Sequence, residues 1–292
     1  MTPEHEDYIR GLMWTDHYRE TLEEYLKELG STPDLPPRPK YNTPSKGSTK
    51  DLEGDWIGTY GWKYGQDVLE AAYEGGVRWI DTAPTYGFGR TEKALAVFLK
   101  EHPDVQVATK IPKNRMTYQN IQNAARQSLE RLGREVIDLY QIHWPTPTGG
   151  PALSETLGSM VDLKKQGLIR RIGVSNFNTW LLAEAQSLCS EPIVSNQIRF
   201  NLQDQSAKDF LLPFCKERGV HVLAYSPLGQ DFKAFLKDVP DLAKTSRRLG
   251  YPSSAVALGW ILTQGVTPLP RTNSPAHVKE NLKGRLTVPV VF

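Results

Sequence analysis

From about residue 55 onward, short apolar runs alternate with stretches that carry apolar residues at spacings of three and four. The runs 55–60, 77–80, 105–109, 136–142, 170–174, 193–197, 220–225 and 266–269 read as strands. Brief apolar runs bounded by turn residues suit a strand covered on both faces, whereas spacings of three and four suit a helix with one buried side. Helical patterns fall between the runs, for example over 118–132, 153–166 and 206–218. Eight strands alternating with helices predict a parallel (β/α)8 TIM barrel rather than an open sheet.

The start of the chain has a different pattern. Tyr8, Leu12, Met13, Leu22, Tyr25, Leu26 and Leu29 lie on one side of a helix expected over 4–30, and Gly30 is its stop. Residues 31–50 are rich in Pro, Ser, Lys and Thr and read as a surface linker. The expected organisation is an extension over 1–50 and a barrel domain over 51–292. A barrel of about 250 residues fits a chain of 292 with this much to spare.

Composition narrows the function. A net charge of +2 with no basic run gives no footing for nucleic acid. No apolar stretch is long enough to predict a membrane span, and the acidic first residues lack the apolar segment of a secretory signal. Cys189 and Cys215 are the only cysteines, so no disulfide framework is expected and a cytoplasmic setting is the default. Nothing in the pattern fixes the oligomeric state.

Four polar residues stand where apolar runs should end: Asp81, Tyr86, Lys110 and His143. Polar residues at the C-terminal ends of barrel strands converge on one place and usually carry chemistry. Each alone has a plainer reading, as a turn cap, a half-buried aromatic, a solvated lysine or a structural histidine. Together they are the parts of a proton-donating site. A free tyrosine titrates near about 10, and a neighbouring ammonium favours its phenolate. The six histidines form no H-x-H or H-E-x-x-H pattern, so no metal is expected. There is no G-x-S-x-G elbow, and no G-x-G-x-x-G follows a strand, which argues against a serine hydrolase and a Rossmann dehydrogenase.

The segment Ile80-Asp81-Thr82-Ala83-Pro84-Thr85-Tyr86-Gly87-Phe88-Gly89 resembles the signature of the aldo-keto reductases. Ala108-Thr109-Lys110 is similar to that family's lysine strand, and Gln141-Ile142-His143-Trp144-Pro145 to its histidine strand. Gly173-Val174-Ser175-Asn176-Phe177, Ser195-Asn196-Gln197 and Ala224-Tyr225-Ser226-Pro227-Leu228 resemble its cofactor-binding strand ends. Pro268-Leu269-Pro270-Arg271 and Glu280-Asn281-Leu282 resemble its adenosine-phosphate segment. The likeness runs in order over about residues 54–283.

The resemblance implies reduction of an aldehyde or ketone, with hydride from a nicotinamide and a proton from Tyr86. Lys110 would favour the phenolate, Asp81 would hold Lys110, and His143 would orient the substrate oxygen. Ser175, Asn176 and Gln197 would bind the carboxamide, Tyr225 would stack under the ring, and Ser226 and Leu228 would reach the diphosphate through backbone groups. Arg271, Thr272 and His277, with Glu280 and Asn281, would hold the adenosine end. Arg271 suits a 2′-phosphate, which makes NADP(H) the preferred cofactor with NAD(H) left open. His277 stands where many relatives have an arginine, a weaker anchor for the phosphate.

Tyr60 and Trp144 are the expected pocket walls, favouring a small carbonyl substrate with an apolar or aromatic part. The short loop after His143 and the few residues after Asn281 predict an open site. Two other readings stand beside the reductase. One is a nicotinamide-binding redox sensor or regulatory subunit with little turnover. The other, a hydrolase or isomerase, would use Asp81 or Glu92 with His143, although Glu92 reads first as an acid in the opening turn of a helix.

Overall fold

A computed structural model describes residues 49, 52–59, 65–146 and 150–286. The helix expected over 4–30, nearly all of the linker and Tyr60 lie outside the described residues.

The eight strands are β1 (Trp56–Gly58), β2 (Trp79–Asp81), β3 (Gln106–Ile111), β4 (Leu139–Ile142), β5 (Ile172–Ser175), β6 (Ile193–Arg199), β7 (His221–Tyr225) and β8 (Thr267–Pro268). They pair in chain order, always parallel. The Gly58 amide donates to the Pro270 carbonyl at 3.0 Å, which joins the first strand to the segment after the last and closes the barrel.

One helix fills each of the first six connections: α1 (Gln66–Glu74), α2 (Arg90–Glu101), α3 (Tyr118–Leu132), α4 (Leu153–Lys165), α5 (Thr179–Leu188) and α6 (Leu211–Arg218). Three fill the next, α7 (Phe232–Asp238), α8 (Pro240–Leu249) and α9 (Ser253–Thr263), and α10 (Pro275–Leu282) follows β8.

Helix α3 shows why the pattern was readable. Ile121, Ala124, Ala125, Leu129 and Leu132 form its buried stripe. Gly133, at φ 62, then turns left-handed, and its amide and that of Arg134 cap the last carbonyls. The helix has the bounds expected for it.

Strand ends moved more. The run 136–142 shrinks to Leu139–Ile142, with Ile137 reduced to a lone bridge to Ile169. The run 206–218 becomes helical only from Leu211. Asp81 is the last residue of β2, and Lys110 lies inside β3, not beyond it. Pairing depends on backbone groups, so a polar side chain aimed at the interior does not stop a strand.

Alternation sorts the side chains. Ile57, Ile80 and Val107 pack outward with α1 and α2. Trp56, Trp79, Ala108, Leu139, Leu223 and Leu269 face inward and form a separate apolar cluster with Leu52. Two residues further along their strands, Asp81, Lys110 and Gln141 follow Trp79, Ala108 and Leu139 on the same inner face.

Candidate active site

Lys110 is wholly buried, and its ammonium uses all three protons. Nζ donates to Asp81 Oδ2 at 2.7 Å, to the Thr82 carbonyl at 2.9 Å and to Tyr86 Oη at 3.2 Å. The second oxygen of Asp81 accepts from Gln197 Nε2 at 2.7 Å and from Gln141 Nε2 at 3.4 Å. A charge survives at such depth only when paired and hydrogen-bonded. Burial is the largest influence on Lys110 and pulls its pKa down. The charges and hydrogen bonds of Asp81 and Tyr86 together outweigh it, and the net position is above the ordinary 10.5. The lysine is therefore held as a cation against the phenol oxygen.

Tyr86 opens a tight turn, Tyr86–Gly89. Its next three residues all have positive φ: Gly87 at 58°, Phe88 at 56° and Gly89 at 82°. That conformation suits the glycines and strains the phenylalanine, whose side chain is 91% exposed. The turn carries the chain from the top of β2 directly into α2 while Tyr86 remains over Lys110.

His143 follows β4 and meets the Tyr86 ring edge to face, with centroids 6.0 Å apart and an interplanar angle of 81°. Burial first, then the Lys110 charge, lowers its pKa to about 3. A neutral imidazole has one N–H donor and one acceptor nitrogen. Trp144 lies beside His143 with centroids 6.5 Å apart and is 46% exposed, so its free face borders the site. The other expected wall, Tyr60, is outside the described residues.

A second group of expected residues is joined to the first. Asn176, at φ 64, donates through Nδ2 to the His143 carbonyl at 3.0 Å and to Ser175 Oγ at 3.1 Å. Its Oδ1 accepts from the Tyr225 hydroxyl at 2.9 Å, and Ser175 Oγ donates to the Gln197 carbonyl at 2.7 Å. With Nε2 committed to Asp81, Gln197 presents its amide oxygen, an acceptor suited to a carboxamide N–H. Both Nδ2 protons of Asn176 are used, while its oxygen keeps one lone pair. These residues fit a nicotinamide.

Ser226 has φ 49. Its carbonyl accepts from Asn201 Nδ2 at 2.9 Å and from the Gly229 amide at 3.0 Å. Leu228 is half-buried against the main core. Asn201 and Gln141 were not assigned from sequence. Gln141 was within reach, because it shares the inward parity of Leu139 and His143.

After β8, Arg271 is exposed and Thr272 is buried. Thr272 Oγ1 accepts from the Ser274 amide at 3.1 Å and lies 3.3 Å from His277 Nδ1. Glu280 and Asn281 are half-buried on α10. An arginine beside a helix start with proline in its first turn fits a phosphate group.

Glu92 lies outside this arrangement. It is in the first turn of α2, as expected, but its buried carboxylate accepts from Thr109 Oγ1 at 2.7 Å and Arg131 Nε at 2.6 Å. That removes it as a partner for His143.

A sequence model of the Aldo/keto reductase family matches residues 49–287. Methylglyoxal reductase YeaE of Escherichia coli (strain K12) is 32% identical over 243 residues, covering 77% of this chain and 83% of that protein. The thermostable aldo-keto reductase Tm1743, solved with the inhibitor epalrestat, superposes with a TM-score of 0.73 at 34% identity, over 79% of this chain and 88% of that one. An aldo/keto reductase from Klebsiella pneumoniae, solved with NADP and acetate, gives a TM-score of 0.70 at 26% identity, over 81% and 86%.

Proposed function

The chain belongs to the aldo/keto reductase family, and from that premise we propose that it reduces aldehydes or ketones to alcohols with Tyr86 as the proton donor. The observation that carries the reading is the chain of contacts Asp81–Lys110–Tyr86, at 2.7 and 3.2 Å. A reduced nicotinamide held by Ser175, Asn176, Gln197 and Tyr225 would supply the hydride for the carbonyl carbon. The Tyr86 hydroxyl gives its proton to the carbonyl oxygen, and the Lys110 ammonium stabilises the phenolate left behind. Neutral His143 donates its ring N–H to the same oxygen and fixes its direction. Asp81 holds Lys110 and fixes the Gln197 amide, whose free oxygen would accept from a carboxamide.

NADPH is the proposed cofactor. It is supported by Arg271 beside the start of α10 and by the NADP-bound Klebsiella pneumoniae neighbour. The open face of Trp144 favours a substrate with an apolar or aromatic part. A cytoplasmic setting suits Cys189 and Cys215, both free thiols. Among the described residues no helix is long and apolar enough to cross a membrane.

The test is oxidation of NADPH and of NADH with a panel of aromatic and aliphatic aldehydes. Tyr86→Phe should lower kcat by about 10²–10⁴-fold and leave NADPH affinity unchanged. Wild-type turnover in Tyr86→Phe would remove the phenol from the reaction. Tight NADPH binding without turnover would favour a sensor.

A further inference from the structure

Behind the barrel wall, on the side away from the reacting groups, polar residues interrupt an otherwise apolar packing layer. On β3, Val107 and Ile111 face outward as expected, but Thr109 between them does not pack as an apolar residue. Its hydroxyl donates to Glu92 Oε1 at 2.7 Å. The other Glu92 oxygen accepts from Arg131 Nε at 2.6 Å, and the Arg131 guanidinium also donates to Ser128 Oγ at 3.0 Å. Glu92, Thr109 and Ser128 are fully buried. The phenol of Tyr140, on the outward face of β4, is pushed up by burial and then by the charge of Glu92, so β4 borders the same cluster.

The cluster touches every element that carries a reacting group. Thr109 immediately precedes Lys110. Glu92 sits in the first turn of α2, the helix into which the Tyr86 turn runs. The Arg131 stem backs that turn: a Cβ on Gly89 would lie 2.9 Å from Arg131 Cδ. Tyr140 is three residues before His143. A buried ion pair is weak evidence for stability, since apolar residues of like volume often replace one at no cost. What it adds is direction, because hydrogen bonds fix distance and angle where apolar packing lets neighbours slide.

We propose that Glu92, Arg131, Thr109 and Ser128 form a positioning cluster that sets the separation between Tyr86 and Lys110 from outside the barrel. This rests on Tyr86 being the proton donor. The bond from Thr109 to Glu92 ties the strand bearing Lys110 to the helix behind Tyr86. Losing it lets the phenol drift from the ammonium, which raises the phenol's pKa and slows proton delivery while the nicotinamide-facing residues keep their places.

The experiment compares Thr109→Val, Thr109→Ser and Glu92→Gln in the full chain. Three quantities are read: kcat with the best aldehyde of the panel, NADPH affinity, and the titration of Tyr86. The titration is taken as the ultraviolet difference between each protein and the same protein carrying Tyr86→Phe. Thr109→Val should lower kcat by about ten- to a hundredfold and raise the Tyr86 titration by about one pH unit, with NADPH affinity unchanged. Glu92→Gln should shift both in the same sense. Thr109→Ser keeps the hydroxyl and should restore both.

A Thr109→Val protein that melts earlier but keeps the wild-type kcat and Tyr86 titration would reduce the cluster to a structural role. So would failure of Thr109→Ser to restore either quantity. If the wild type itself turns over no carbonyl, the reductase reading falls, and the Tyr86 titration alone still decides whether the cluster sets the separation.

Discussion

The inner face of the barrel changes character over a single step of two residues. At the N-terminal ends of the strands, Trp56 and Trp79 stack with centroids 4.3 Å apart and planes 9° from parallel, above Leu52 and beside Leu139 and Leu223. One inward position higher, the same strands hold Asp81, Lys110 and Gln141. The apolar side chains of the lower layer offer a carboxylate no hydrogen bond, so the upper layer must supply its own. It does so with Lys110 on Asp81 and with Gln197 and Gln141 on the remaining carboxylate oxygen. The floor also keeps water from beneath the ion pair, and in such surroundings each hydrogen bond is stronger and each missing one costs more. The apolar packing below and the proposed chemistry above thus belong to the same strands, and substitutions should tell them apart.

The largest effect is expected where the layers meet. Lys110→Met leaves the Asp81 carboxylate buried without its cation and should cost about 3–5 kcal/mol of stability as well as the reductase activity. Denaturant melts and NADPH oxidation check the two losses. If only activity fell, Asp81 would have a source of compensation other than Lys110.

Trp79→Phe thins the floor and should cost about 1–2 kcal/mol while kcat per folded molecule stays as it was. A fall in kcat larger than the loss of folded protein would show that the two layers are not separable.

The smallest effect at neutral pH concerns His143. Its folded pKa, about 3, lies below the ordinary 6.5, so the unfolded chain takes up the proton first. The stability it contributes is present above about 6.5 and is lost as pH falls toward about 3. His143→Gln should flatten that part of the curve of stability against pH. His221, which burial lowers to about 4, keeps its own contribution in both proteins. Parallel curves for the two proteins would mean that His143 is not held neutral by the fold.

What could be read from sequence follows from which forces act locally. The bounds of α3 were legible because its buried stripe lies within the helix and its glycine stop directly follows it. Asp81, Lys110 and His143 were legible as residues near strand ends, although the first two proved to be inside their strands. The link from Asn176 to the His143 carbonyl was not, because it joins two loops 33 residues apart that meet only once β4 and β5 are packed side by side. The partnership of Glu92 with Arg131 was hidden in the same way. The two are 39 residues apart, and an acid in a first helical turn already has an ordinary explanation. His277 was singled out by its departure from an arginine, and the structure puts it on Thr272.

The amide of Gly58 donating to the carbonyl of Pro270 has a consequence for how the molecule breathes. β8 pairs with β7 over two residues only, Thr267 and Pro268, and neither Pro268 nor Pro270 has an N–H to give. The joint between the two ends of the cylinder is therefore poor in donors, and it brings together parts of the chain far apart in sequence, whose meeting carries a large loop-closure cost. Such a joint is expected to loosen before strands paired over longer stretches, and hydrogen exchange of the Gly58 amide against that of Ile198 would test it. The segment bearing Arg271, Thr272 and His277 follows directly from it, so the adenosine end of the proposed cofactor site is built on the joint with the fewest residues paired in register.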